Sequence, residues 1–174
     1  LVDANEISSL LKRISHEIVE SSGDIQDIAL IGIQSRGDYI ANRIATHINS
    51  ISKHNISLGT IDVTFHRDDF RERLSIPKIQ GTDIHFSLDR KVVILVDDVL
   101  YSGRTIRAAL DEINSFGRPS IVRLAVLIDR GHRELPIRAD FVGKNIPTHS
   151  GEHVKVRLIE TDNEEGVFLV KEGS

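Results

Sequence analysis

Apolar residues at Ile7, Leu10, Leu11, Ile14 and Ile18 recur every three or four positions, a spacing that predicts one helix from Asp3 to about Ser22. Asp3 with Glu6 forms a D-x-x-E helix start, in which the first side chain can accept from an orphan backbone N–H. The pattern then changes. Residues 28–33 form a short continuous apolar run, as in a strand covered on both faces, and the run ends at Gln34-Ser35-Arg36-Gly37-Asp38. Tyr39, Ile40, Ile44 and Ile48 return to helical spacing, and residues 59–65 alternate as a strand. Residues 66–90, rich in charge and turn formers, read as a long excursion of the kind that usually carries function. The strongest buried-type run is Val92-Val93-Ile94-Leu95-Val96, followed by a loop from Asp97 to Thr105 and a helix over 106–116 through Ile106, Ala109, Leu110 and Ile113. Further strands are expected at 121–128, 139–142, 153–159 and 167–170, with Pro119, Pro136 and Pro147 marking turns between them. Strands alternating with helices predict an α/β fold with a central, mostly parallel sheet flanked by helices.

Composition narrows the setting. A chain of 174 residues with 40% hydrophobic content supports one ordinary core, so a single domain over 1–174 is expected. With no Cys, disulfides and thiolate zinc sites are excluded, and a reducing cytoplasm is the natural compartment. No apolar run approaches the roughly 20 residues needed to span a bilayer, and the first residues lack a basic region followed by an apolar one. A soluble protein without a membrane partner is the expectation. There is no Met, so the numbering is expected to begin inside the natural chain.

The loop after residues 92–96 brings in chemistry. Ligands of open α/β sheets sit beyond the carboxyl ends of the strands. Here Val99, Leu100, Tyr101, Ser102, Gly103, Arg104 and Thr105 offer backbone N–H groups, two hydroxyls and a helix start, a combination suited to phosphate. Asp97 and Asp98 add carboxylates that can accept from vicinal hydroxyls and help hold Mg²⁺, so the whole specifies a ribose 5-phosphate. A buried strand with a capped helix and a response-regulator-like acid pair is the competing reading, and it leaves Ser102-Gly103-Arg104-Thr105 without a task. Ser35-Arg36-Gly37 also follows a strand and offers a guanidinium for bidentate phosphate contact, although alone it reads equally as a solvated turn.

Val93 to Thr105 resembles the thirteen-residue signature of type I phosphoribosyltransferases, which use phosphoribosyl pyrophosphate (PRPP). Four segments extend the likeness to one branch, the PyrR family: Ser35-Arg36-Gly37, Thr64-Phe65-His66-Arg67-Asp68-Asp69, residues 93–107, and residues 117–148, with Asp129-Arg130-Gly131-His132-Arg133-Glu134 the most distinctive stretch. One departure is His66, where the family usually has Tyr; the Arg67-Asp68-Asp69 core is intact. The resemblance implies the type I phosphoribosyltransferase fold, with a flexible lid loop and a small hood. It also implies conversion of uracil and PRPP to UMP and pyrophosphate with Mg²⁺ bound alongside PRPP, assembly as a homodimer or homotetramer, and UMP- or UTP-dependent binding to pyrimidine-operon leader RNA. A uracil enzyme without the RNA role, and less readily a hypoxanthine or guanine enzyme, remain alternatives.

The same resemblance distributes roles. Asp97, Asp98 and Arg67 are expected to be catalytic, with residues 97–105 around the ribose phosphate and Ser35, Arg36, Gly37 and Arg67 around pyrophosphate. Arg130, His153 and Val154 fall where the base is read in related purine enzymes, His153 stacking and Val154 acting through its backbone, while Glu160 faces the metal through water; a solvated His and an ordinary strand Val explain the last strand equally well. Net charge is −4, yet residues 118–144 carry six basic residues (Arg118, Arg123, Arg130, Arg133, Arg138, Lys144) against three acids, about +3. Together with Lys12, Arg13 and His16, the residues Arg133, Arg138 and Lys144 are expected to form an RNA face. Solvated charges that merely keep the surface wet would look the same in sequence.

Overall fold

A computed structural model of the chain describes residues 1–63 and 81–173. Helix α1 (Ala4–Ser21) begins as its spacing requires: the Asp3 carboxylate accepts from the Glu6 N–H at 2.8 Å, and Ile7, Leu11, Ile14 and Ile18 are buried. Strand β1 (Ile28–Ile33) is buried along its whole length. It is followed by α2 (Gly37–Ser52), β2 (Ser57–Ile61), β3 (Val92–Leu100), α3 (Arg104–Ile113) and β4 (Ile121–Asp129). Then come β5 (Phe141–Asn145), β6 (Glu152–Arg157), the single-turn α4 (Ile159–Asp162) and β7 (Gly166–Lys171).

Five strands form one sheet in the order β2-β1-β3-β4-β5, and every pairing is parallel. Alternate residues face opposite layers, as the pleat demands. Leu30, Ile94, Val96 and Leu127 meet α1 and α2 on one side; Ile31, Leu95, Leu124 and Val126 meet α3 on the other. The expected α/β architecture is therefore present, with helices on both faces. Strands β6 and β7 form a separate antiparallel hairpin, the hood. The chain's first residues reach it, because Val2 and Val167 exchange backbone hydrogen bonds and the amino terminus donates to the Val167 carbonyl at 3.0 Å. Among the described residues no helix is long and apolar enough to cross a membrane.

Several boundaries differ from the sequence expectation. β3 does not stop at Val96 but continues through the acid pair to Leu100, because β4 runs beside it until Leu100 pairs with Asp129. β5 lies at 141–145 rather than 139–142: its ladder with β4 runs from Ala125↔Phe141 to Asp129↔Asn145, and a Cβ on Gly143 would sit 2.4 Å from the Leu127 carbonyl oxygen. β2 starts two residues before Gly59 and ends at Ile61, while Thr64 and Phe65 lie outside the described residues. Helix α4 is too short to leave a periodic signal and was not anticipated.

Candidate functional site

The carboxyl end of β3 carries the two acids. Asp97 is 4% exposed, its Oδ1 accepts from the Asp98 N–H at 2.8 Å, and Asp98 Oδ1 accepts from the Val99 N–H at 2.8 Å. Each carboxylate is thus held by the backbone that follows it. Five residues after Asp98, Gly103 sits at the N-cap of α3 in the left-handed region (φ 95°) and supplies no side-chain cap, while the Arg104 N–H donates to Ser102 Oγ at 3.3 Å, a helix start of the kind that suits an anion. The segment after β4 wraps around this loop from outside. Glu134 and Leu135 donate backbone N–H groups to the Ser102 carbonyl at 2.9 and 3.1 Å, Arg133 Nη1 donates to the Tyr101 carbonyl at 3.0 Å, and Arg104 Nε meets Glu134 Oε2 at 2.7 Å. Two loop carbonyls are therefore engaged on the outside, a polarity suited to an anion on the inner side.

A second loop reaches the same edge. A Cβ on Gly37 would lie 2.5 Å from the Val96 carbonyl and 3.1 Å from Asp97 Cα, and one on Gly32 would lie 2.5 Å from Asp38 Cα. Only glycines permit this approach, which lays the start of α2 against the acid-bearing end of β3. Arg36, at the α2 N-cap with φ 78°, sends its guanidinium to the hood acid Asp162: Nη2 to Oδ1 at 2.7 Å and Nε to Oδ2 at 3.2 Å. That hydrogen bond, opposed by burial and aided by the charges of Asp162 and Asp98, raises the Arg36 pKa. Asp162 is correspondingly held below the usual carboxylate range, first by Arg36 and then by the Leu158 N–H. A cavity of about 340 Å³ opens here, lined by Arg36, Asp98, Val154, Arg157 and Asp162 among others.

The residues expected to read the base divide between two places. Val154 lines the cavity beside Asp98, whereas His153, its neighbour on β6, lines a different cavity of about 320 Å³ with Tyr101, Arg130 and His132. Adjacent strand residues point to opposite faces, so one strand position cannot serve both. Arg130 is buried, donating to Thr148 Oγ1 at 3.2 Å and to the Glu152 carbonyl at 2.5 Å, with its guanidinium 4.1 Å from the centre of the Tyr101 ring. It links the loop after β3, through Tyr101, to the start of β6, through the Glu152 carbonyl. Glu160, expected at a metal, is turned elsewhere: both of its oxygens accept from Arg43, at 2.8 and 2.7 Å, and this bonding holds its pKa down. Arg43 also binds Glu165 at 2.5 Å; burial disfavours its charge, but the two carboxylates outweigh burial and raise its pKa. Asp162, not Glu160, is the α4 carboxylate that lines the cavity, and nothing in the sequence pattern singled it out.

Of the residues expected on an RNA face, three have structural partners. Arg133 is the clearest correction. Besides Tyr101, it donates to the Ile137 carbonyl at 2.8 Å and to Asp129 Oδ2 at 2.5 Å, with its side chain 23% exposed, so it is an internal brace of the loop between β3 and α3. Arg13 pairs with Glu17 and caps the Val142 and Gly143 carbonyls of β5, and Lys144 pairs with Glu6 at 3.0 Å; both remain substantially exposed. Lys12, His16 and Arg138 are exposed. On α2, His47 lies close enough to Lys12 and His16 for their charges to act on it: burial first, then these two, lower its pKa. Arg67 lies outside the described residues.

Residues 1–161 match the phosphoribosyl transferase domain family. A Roseiflexus sp. protein named bifunctional protein PyrR is 51% identical over 98% of this chain and 94% of its own length, and its Chloroflexus aurantiacus namesake is 51% identical with the same coverage. Among solved structures, a hypoxanthine phosphoribosyltransferase from Trypanosoma cruzi superposes with a TM-score of 0.74 over 98% of this chain and 94% of that one, at 17% identity, a likeness of fold alone.

Proposed function

Because the chain belongs to the phosphoribosyl transferase family and to its PyrR branch, we propose that it transfers the phosphoribosyl group of PRPP to uracil, giving UMP and pyrophosphate, and that the same domain, residues 1–174, binds pyrimidine-operon leader RNA in response to UMP or UTP in the cytoplasm. One observation carries the transferase reading: a paired-carboxylate strand end, an uncapped helix start behind Gly103 and an arginine-bearing loop converge on one sheet edge. Each matches one part of PRPP.

The 5-phosphate would lie on Ser102, Gly103, Arg104 and Thr105, accepting from the first turn of α3. The ribose hydroxyls would donate to Asp97 and Asp98, and the pyrophosphate would lie against Ser35, Arg36 and Gly37, with Arg67 added from outside the described residues. Departure of pyrophosphate leaves positive charge on the ribose ring, so the work of these residues is positioning and electrostatics rather than covalent chemistry. Two adjacent carboxylates with hard oxygen donors suit Mg²⁺, which takes one or two carboxylates and fills its shell from substrate phosphates. Among the described residues no three His, Asp or Glu side chains converge to hold an ion, so its other ligands would be substrate oxygens. When bound, such an ion neutralises charge on the leaving pyrophosphate. Uracil would enter along Val154, with Arg130 and Tyr101 forming the support beneath the phosphate loop.

The regulatory half rests on the bifunctional naming of relatives near 50% identity and on exposed Lys12, Arg13, His16, Arg138 and Lys144. Equal yields of UMP and pyrophosphate from uracil and PRPP, with hypoxanthine and guanine inert, are the expected assay result. Turnover of purines in place of uracil would sink the base assignment. For RNA, a pyrimidine-operon leader transcript should be retained more tightly with UMP or UTP than without, and indifference to nucleotide would remove the regulatory half.

A further inference from the structure

Arg36 is bound in a way that its place in a phosphate loop does not require. Asp162 takes the side edge of the guanidinium, Nε with Nη2, in a two-point contact, and among the described residues Nη1 has no hydrogen-bond partner. A guanidinium held by one edge is a fixed plane whose other end stays available for a second acid. Asp162 is itself fixed, since Oδ2 also accepts from the Leu158 N–H at 2.8 Å, and α4 is clasped to α2 close by through Arg43 with Glu160 and Glu165. The hood thus reaches across 126 residues of sequence to orient one side chain on the opposite side of the cavity.

We propose that Asp162 is a positioning residue for the pyrophosphate end of PRPP: it clamps the side edge of Arg36 and so presents the Nη1 end to the pyrophosphate. The inference rests on the reading of Ser35-Arg36-Gly37 as the pyrophosphate loop. Clamping costs rotamer freedom before substrate arrives, so less is lost on binding. It also makes a counter-intuitive demand. Asp162 is an acid beside an anion site, and by charge alone its removal should strengthen pyrophosphate binding; if the clamp dominates, removal weakens it.

Asp162→Asn separates the two. An amide can keep its oxygen toward the Leu158 N–H, but its NH₂ then faces Arg36 Nη2, donor against donor, and the two-point clamp is lost. The PRPP KM and the Mg-pyrophosphate dissociation constant from calorimetry should rise together, on the order of tenfold, the size of one charged hydrogen bond, while the uracil KM stays unchanged. Asp162→Glu, which restores the charge at a shifted position, should recover part of the loss. In an Arg36→Lys background, which has no bidentate edge, Asp162→Asn should add little further. Glu165→Gln, which weakens only the neighbouring clasp, controls for hood attachment and should leave pyrophosphate binding unchanged. Tighter or unaltered pyrophosphate binding by Asp162→Asn, alongside weaker binding by Arg36→Ala, overturns the clamp and spares the loop reading. Unaltered binding by Arg36→Ala overturns the loop reading and the clamp with it.

Discussion

Arg133→Gln is expected to damage the loop proposed to hold the 5-phosphate and the fold together, although in sequence Arg133 looks like one more surface cation. Its guanidinium makes three hydrogen bonds, to the carbonyls of Ile137 and Tyr101 and to the Asp129 carboxylate, from a position only 23% exposed. Neutral hydrogen bonds contribute about 0.5–1.5 kcal/mol each and charged ones about 1.5–3. Their sum, reduced for the partial exposure of the site, is about 3 kcal/mol. In a chain of this length each kcal/mol moves Tm by about 2–4 °C, so thermal unfolding followed by circular dichroism should shift down by about 6–12 °C. The lost Tyr101 bond frees a carbonyl next to the proposed 5-phosphate site, so the PRPP KM should rise as well. Arg133→Lys should keep the attraction to Asp129 but not the two carbonyl bonds, and fall between. A Tm shift under about 2 °C with an unchanged PRPP KM would show that Arg133 braces nothing and return it to the surface.

Other outcomes follow from the same geometry. Asp98→Asn should lower kcat on the order of 10²-fold, as loss of one preorganised polar group does, with the Tm of the purified variant nearly unchanged; full UMP synthesis would remove the acid from the mechanism. Combined Lys12→Gln, Arg138→Gln and Lys144→Gln should flatten the slope of log affinity against log salt for leader RNA by up to about three, and an identical slope would place the RNA elsewhere. The His47 imidazole should titrate below the usual His value in an NMR pH series, moving up in Lys12→Gln and His16→Asn. A His whose folded pKa is depressed adds stability above its unfolded value, about 6.5, that is lost as pH falls through the folded pKa. Asp162 and Glu160 have the same sign lower on the scale: their contribution is present above about pH 4 and lost as pH falls through their depressed folded values. Hydrogen-exchange protection factors in β6 and β7 should therefore fall in acid before those in β1, and the reverse order would contradict a hood held by these pairs.

Periodicity and capping made much of the molecule legible in advance. Asp3 as cap, the buried side of α1, the bounds of β1 and the apolar start of β3 are local matters, because which residues turn inward depends on spacing of 3.6 or 2 along a single element. The turn into α3 was legible for a related reason: Gly103 and its neighbours take a backbone conformation that neighbouring residues largely set. Where strands end was less so. Whether β3 stops at Val96 or Leu100 depends on how far β4 accompanies it, and that is a property of the pair. The fates of the long charged side chains were not legible at all. Arg36, Arg43, Arg130 and Arg133 look alike as solvated or phosphate-seeking cations in sequence, yet each meets partners supplied by another element or a returning loop, as far as 126 positions away. A guanidinium reaches many ångströms from its Cα and bonds to whatever the fold brings within that radius. Pattern therefore determined the sheet, its layers and the cradle at its edge, and tertiary structure alone decided which cations face the cavity and which hold its walls.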